Sequence, residues 1–138
     1  MKGHLLDTNI ISELRKGARC ALPVKKWFDA VANESVYLSV LILGEIRRGI
    51  ELRRRKDPTT AQSLEKWLTG LELGYADKIL PITNRISDRW GRLSALSSCP
   101  PIDGLLAATA LEHDLTLVTR NVPDVHRTGV SYLNPFST

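Results

Sequence analysis

The sequence predicts an α/β fold, a short central parallel sheet covered by helices on both faces, and three observations predict it. Short apolar runs of strand composition recur along the chain, each separated from the next by a stretch long enough for a helical crossover. Those intervening stretches carry apolar residues at the i, i+3, i+4, i+7 spacing of a buried helix stripe. The length of 138 residues, 43% hydrophobic and 25% charged, suits one domain, residues 1–138, burying about two-thirds of its unfolded surface without a disulfide or structural metal.

Taken in order, His4-Leu5-Leu6 reads as a first strand ending at Asp7. Thr8 or Asn9 is placed to cap a short helix through Leu14, which Gly17 stops. Pro23 suits the first turn of a second helix, from Val24 to about Asn33. Val36 to Ser39 has strand composition, and a helix from about Leu41 to Arg55 follows, with Ile42, Ile46, Gly49 and Ile50 along one side. Residues 57–60 break that helix and start another, Ala61 to Leu73, whose stripe is Leu64, Trp67, Leu68 and Leu71.

The third strand spans Lys78 to Ile82, and Thr83 caps a helix with Ile86, Trp90, Leu93 and Leu96 on one face. Pro100 and Pro101 interrupt before a small-residue helix, Ile102 to His113. Leu115 to Thr119 is the clearest strand, and Val130 to Leu133 is the last.

Composition excludes several classes. No apolar run approaches the ~18–20 residues of a membrane span. Asp7 comes too early for the apolar core of a signal peptide, so a cytoplasmic location is expected. Cys20 and Cys99 form no metal or redox spacing. The net charge of +4 is compatible with a polyanionic partner without demanding one. Arg47, Arg48, Arg53, Arg54, Arg55 and Lys56 crowd into one stretch, which by itself reads equally as a solvated helix face.

In a sheet of this kind the functional crevice lies outside the carboxyl ends of the strands. Asp7 follows the first strand, Glu45 lies early in the helix after the second, and Asp103 opens the helix that feeds the fourth. Asn121 follows that fourth strand with Asp124 close behind. Each has a simpler reading: Asp7 as a cap, Glu45 in an i,i+3 ion pair with Arg48, Asp103 as an acid at a helix start, Asn121 and Asp124 as turn residues. Brought together, such carboxylates repel and call for a cation, and hard oxygen ligands suit Mg²⁺ or Mn²⁺ better than zinc.

Four segments then resemble a known family: LLDTNIISEL at 5–14, LSVLILGEIRRGIE at 38–51, PPIDGLLAATALEHDLTLVTRN at 100–121 and YLNPF at 132–136. They are similar in order and spacing to PIN-domain ribonucleases of the VapC type, the toxins of bacterial toxin–antitoxin pairs. The resemblance implies a single PIN domain and a Mg²⁺- or Mn²⁺-dependent endoribonuclease hydrolysing structured RNA such as tRNA or rRNA. It implies that Asp7 and Asp103 are metal ligands, and that Glu45 is either a ligand or the base that takes a proton from the attacking water. The family's fourth acid stands here as Asn121, which weakens a second metal site; Asp124 is the candidate substitute. Thr8, Asn9, Ser39 and Thr119 match positions that support the site by hydrogen bonding.

Arg47, Arg48 and Arg120, with Arg85, Arg89 and Arg92 on another helix, are candidates for the RNA backbone; Arg89 is equally a candidate for an ion pair across a dimer. The resemblance further implies a homodimer, a cognate antitoxin seated in an apolar groove, and larger assemblies of the two. Trp27, Trp67 and Leu68 are apolar beyond what one core readily takes up.

Two rival classes remain at this point. One is a catalytically inactive PIN-fold domain that binds RNA or a protein partner, for which Asn121 speaks. The other is a phosphatase with Asp7 as nucleophile, against which the run Asp7-Thr8-Asn9-Ile10-Ile11 lacks the second aspartate of a DxDxT motif. His4, His113 and His126 have no nucleophile at a recognisable spacing.

Overall fold

The computed structural model describes residues 3–137. Five strands, β1 (His4–Leu6), β2 (Val36–Ser39), β3 (Ile79–Leu80), β4 (Thr116–Val118) and β5 (Tyr132–Leu133), form one parallel sheet in the order β3-β2-β1-β4-β5. Around it pack α1 (Thr8–Leu14), α2 (Leu22–Ala30), α3 (Val40–Arg54), α4 (Pro58–Gly74), α5 (Asn84–Leu96), α6 (Pro101–Glu112) and α7 (Val122–Val125). No helix among the described residues is long and apolar enough to cross a membrane.

The centre of the sheet is fully apolar because helices cover both faces. Leu5, Leu6, Val36, Leu38, Leu117 and Val118 are all inaccessible, and Ile42, Ile50, Leu106, Ala107 and Ala110 close over them. Gly3 is confined where the chain enters β1: a Cβ there would lie 2.6 Å from the Ser35 carbonyl oxygen. Register follows from these contacts, with His4 opposite Val36 on one side and Thr116 on the other.

Several boundaries differ from the sequence reading, each for a local reason. Asp7, not Thr8 or Asn9, caps α1, its carboxylate accepting from the Thr8 N–H at 2.7 Å. Pro23 lies inside the first turn of α2, so that helix begins at Leu22, and residues 33–35 form a separate 3₁₀ turn. Asp57 caps α4 with Pro58 at its start, three residues earlier than the apolar stripe suggests. β3 is cut to Ile79–Leu80 at Pro81, which has no N–H for the ladder.

Pro101 is already the first residue of α6. Strands β4 and β5 are trimmed to the residues that pair with neighbours. Residues 122–125, read as turn chemistry, close into the short helix α7. Two apolar stripes are also shorter than predicted. Gly49 is exposed on α3, and Leu96 is 87% exposed where α5 runs past the body of the protein. Leu68 is buried, whereas Trp27 and Trp67 pack partly against the core, Trp27 edge-on to His4.

Candidate active site

Strand order reverses direction at β1, which lies between β2 and β4, and the crevice at such a switch point opens at the strands' carboxyl ends. Asp7 leaves β1 there and Thr119 leaves β4 beside it; Ser39 ends the neighbouring β2. Their positions follow from the parallel register alone.

Asp7 is 5% exposed and fully engaged. One carboxylate oxygen caps α1; the other accepts from the Thr119 hydroxyl at 2.7 Å and from the Asn9 side-chain amide at 3.3 Å. Burial nevertheless pushes its carboxyl above the ordinary range, against the lowering effect of those hydrogen bonds. Asn9 turns its oxygen to the Arg120 N–H at 3.2 Å, and Thr119 accepts from the Asn121 N–H at 3.0 Å, so the loop after β4 is tied to the start of α1.

Glu45 sits half-buried on α3 and accepts from the Thr8 hydroxyl at 2.6 Å. Among the described residues it forms no ion pair with Arg48. Ser39 is wholly buried and its hydroxyl caps α3, accepting from the Leu41 N–H at 3.1 Å. It therefore acts on the helix that carries Glu45 rather than on an acid directly.

Asp103, 9% exposed in the first turn of α6, faces the same space. Its carboxyl is pushed up to about 6, first by burial and then by the negative charges of Asp7, Asp124 and Glu45; a hydrogen bond from the Asn121 side chain works the other way. Acids from three other segments thus lie within electrostatic reach of Asp103. Glu13 is a contrast. It is also buried, yet its carboxyl is held below the ordinary range by the Ala21 N–H and the Lys16 ammonium, as befits an acid that anchors a loop.

The donor set fits a hard divalent cation. Every candidate ligand is a carboxylate oxygen, and a cation would relieve the repulsion that raises Asp103. Among the described residues no group of three or more His, Cys, Asp or Glu side chains is placed so that together they could hold a metal ion. Mg²⁺ does not need such a group, because it keeps several waters and is commonly held by one or two carboxylates.

The arginines separate by environment. Arg47 is engaged by Glu51 at 3.1 Å and Glu65 at 3.0 Å, and Arg54 pairs with the same two acids, so these cations join α3 to α4. Arg85 and Arg89 hold Glu112 within the chain at 2.6 and 3.2 Å, and Arg92 pairs with Asp88. Arg48 makes no ion pair among the described residues. The Arg120 guanidinium lies over the Phe136 ring, 4.2 Å from its centroid.

Cys99 was no part of the expected site. Its S–H donates to the Asp124 carbonyl at 2.8 Å, and burial together with Asp103 and Asp124 pushes its thiol up. Its place four residues before Asp103 was the one available signal.

The PIN domain family model matches residues 4–123. The plasmid stability protein StbB of Pseudomonas syringae is 32% identical, and the toxin FitB of Neisseria gonorrhoeae 31%, each alignment covering 96% of this chain and 97% of the relative. The VapC ribonuclease Y4jK of Sinorhizobium fredii is 31% identical over 96% of both chains. Among solved structures, that of FitAcB from Neisseria gonorrhoeae is 28% identical, with a TM-score of 0.88 over 98% of this chain and 99% of its own.

Proposed function

The chain belongs to the PIN-domain family, and on that premise we propose that it is the toxin of a type II toxin–antitoxin pair, a metal-dependent endoribonuclease. The observation that carries this reading is the group of acids at the carboxyl end of the sheet, where burial first and the neighbouring acids second raise Asp103 to about 6. The names toxin FitB and VapC ribonuclease, borne by relatives that align over 96% of the chain, support it.

In this reading Asp7 and Asp103 hold Mg²⁺ or Mn²⁺. Bound there, the ion supplies Lewis-acid charge for phosphodiester hydrolysis. Asp7 is fixed by Thr119, Thr8 and Asn9 before any ligand arrives, so little ordering is left to be done on binding. Glu45, steadied by the Thr8 hydroxyl, completes the ligand set or accepts the proton of the attacking water. Asn121 supplies a neutral hydrogen bond to Asp103 in place of a further negative charge, which favours one ion over two, with Asp124 as the acid nearest to a second.

Arg48, three residues after Glu45, and Arg120, beside Asn121 in sequence, offset the repulsion between the acids and the RNA backbone. The substrate is a structured RNA, tRNA or rRNA, cut where bases are unpaired and open to recognition. The cognate antitoxin seats an apolar helix face in the largely apolar groove lined by Ile11, Leu14, Arg15, Phe28, Trp67, Leu71 and Tyr75, a concavity of about 130 Å³ between α1, α2 and α4. A cytoplasmic homodimer, and larger assemblies with the antitoxin, complete the proposal.

Total bacterial RNA incubated with the antitoxin-free chain, in Mg²⁺ or EDTA, tests it. Discrete fragments are expected only with metal, and D7N or D103N should cost on the order of 100-fold or more in rate, since even outer-shell changes cost ~10–100-fold. A folded chain that cuts nothing at any Mg²⁺ or Mn²⁺ level would instead be an RNA- or partner-binding PIN domain.

A further inference from the structure

Helices α1, α3, α4 and α5 each begin with a side-chain cap, from Asp7, Ser39, Asp57 and Thr83. Helices α2, α6 and α7 begin without one, and α6, which starts at Pro100 and Pro101, carries Asp103 in its first turn. Its first turn is closed by the Gly104 N–H on the Pro100 carbonyl, at 2.9 Å. Something other than a cap must hold that turn against the sheet.

Trp90 of α5 occupies the place. A Cβ built on Gly104 would lie 3.1 Å from both Cδ1 and Nε1 of the indole, and 3.9 Å from the Cys99 sulfur. The ring edge is therefore closed against the backbone of the residue that follows Asp103. The Trp90 Nε1 is buried and has no hydrogen-bond partner among the described residues. A buried donor without a partner is costly, so the indole is seated there by shape and not by its polar atom. A Cβ at 104 would force the indole or the turn to give by a few tenths of an ångström.

We infer that Trp90 is a positioning residue: wedged against Gly104, it sets the first turn of α6 and through it the Asp103 carboxylate. The inference rests on the metal-dependent reading of the acid site. Placing a ligand from one residue away by packing matters because metal sites lose affinity when the shell behind the ligands loosens.

The test is Mn²⁺ affinity of the purified chain, measured by titration calorimetry or by electron paramagnetic resonance of free Mn²⁺, for W90L, G104A, the double variant and I86V. Ile86 is fully buried on the same helix without touching Gly104, so I86V reports the effect of a small core loss alone. W90L and G104A should each weaken Mn²⁺ binding, on the order of tenfold. In the double variant the added methyl occupies space the indole has left, so its penalty should largely disappear; I86V should bind as the wild type does. Unchanged affinity in folded W90L and G104A, strictly additive losses, or an equal loss in I86V would each overturn the inference. A wild-type chain that binds no Mn²⁺ would overturn the metal reading itself, and the inference with it.

Discussion

Asp7 caps a helix with the same carboxylate that is proposed to bind metal. One oxygen caps α1 while the other is held by Thr119 and Asn9, so the capping and functional readings of this residue are compatible. Asp103 differs, because burial and three neighbouring acids lift its carboxyl from the ordinary 3.8 to about 6. A raised carboxyl binds its proton more tightly in the folded chain than in the unfolded one. Between about pH 4 and 6 the folded state holds more protons, so the stability of the metal-free chain falls as pH rises across that window and stays reduced above it. D103N removes this slope. Chemical denaturation in EDTA from pH 4.5 to 7 should show wild type losing stability relative to D103N as pH rises; parallel profiles would mean that Asp103 is not crowded in solution.

At the scale of one element, α3 divides its surface three ways. Ile42, Ile46 and Ile50 face the core; Arg47, Glu51 and Arg54 interlock with Glu65 of α4; and Arg48, Leu52 and Arg55 form an exposed stripe that starts one turn beyond Glu45. The paired arginines are exposed to solvent, which screens the pairs, so each adds little to stability. What the pairing decides is availability. With D103N as a non-cleaving background, R48Q should lower the slope of log affinity against log salt for a single-stranded RNA by ~0.7, the value of one phosphate contact. R47Q should leave that slope unchanged and loosen the α3–α4 contact slightly. Equal slope changes for the two would show that pairing with Glu51 and Glu65 does not withdraw Arg47 from RNA.

For the whole molecule, the sheet order concentrates negative charge at one crevice, a cost that the apolar centre tolerates and that a cation removes. A ligand that binds only the folded chain raises its stability by ~2.7 kcal/mol at a hundredfold excess over Kd. Saturating Mg²⁺ or Mn²⁺ should therefore raise the thermal midpoint of the wild-type chain by several degrees and leave D7N and D103N nearly unmoved. A midpoint insensitive to either ion would argue against a metal site built on these two acids.

Strand and helix alternation was legible because its signals are local. Apolar spacing, Pro23, Pro58 and Thr83 act within a turn or two of where they stand, and the misplaced ends (β3 cut at Pro81, α7 closing after Asn121) turn on single residues. Asp7, Glu45 and Asp103 could be nominated from the motifs, since a parallel sheet brings the residues after β1, the helix start after β2 and the start of the helix feeding β4 to the same end of the sheet. Long-range packing decided the rest. The tie of Arg47 to Glu65, beyond its local pairing with Glu51, and the pairing of Arg85 and Arg89 with Glu112 involve partners 18 to 27 residues distant. The same holds for Trp90 against Gly104 and Cys99 against Asp124. Short-range sterics and hydrogen bonding choose an element from its own residues, but which side chains meet across elements is chosen only when the core closes and fixes their distances.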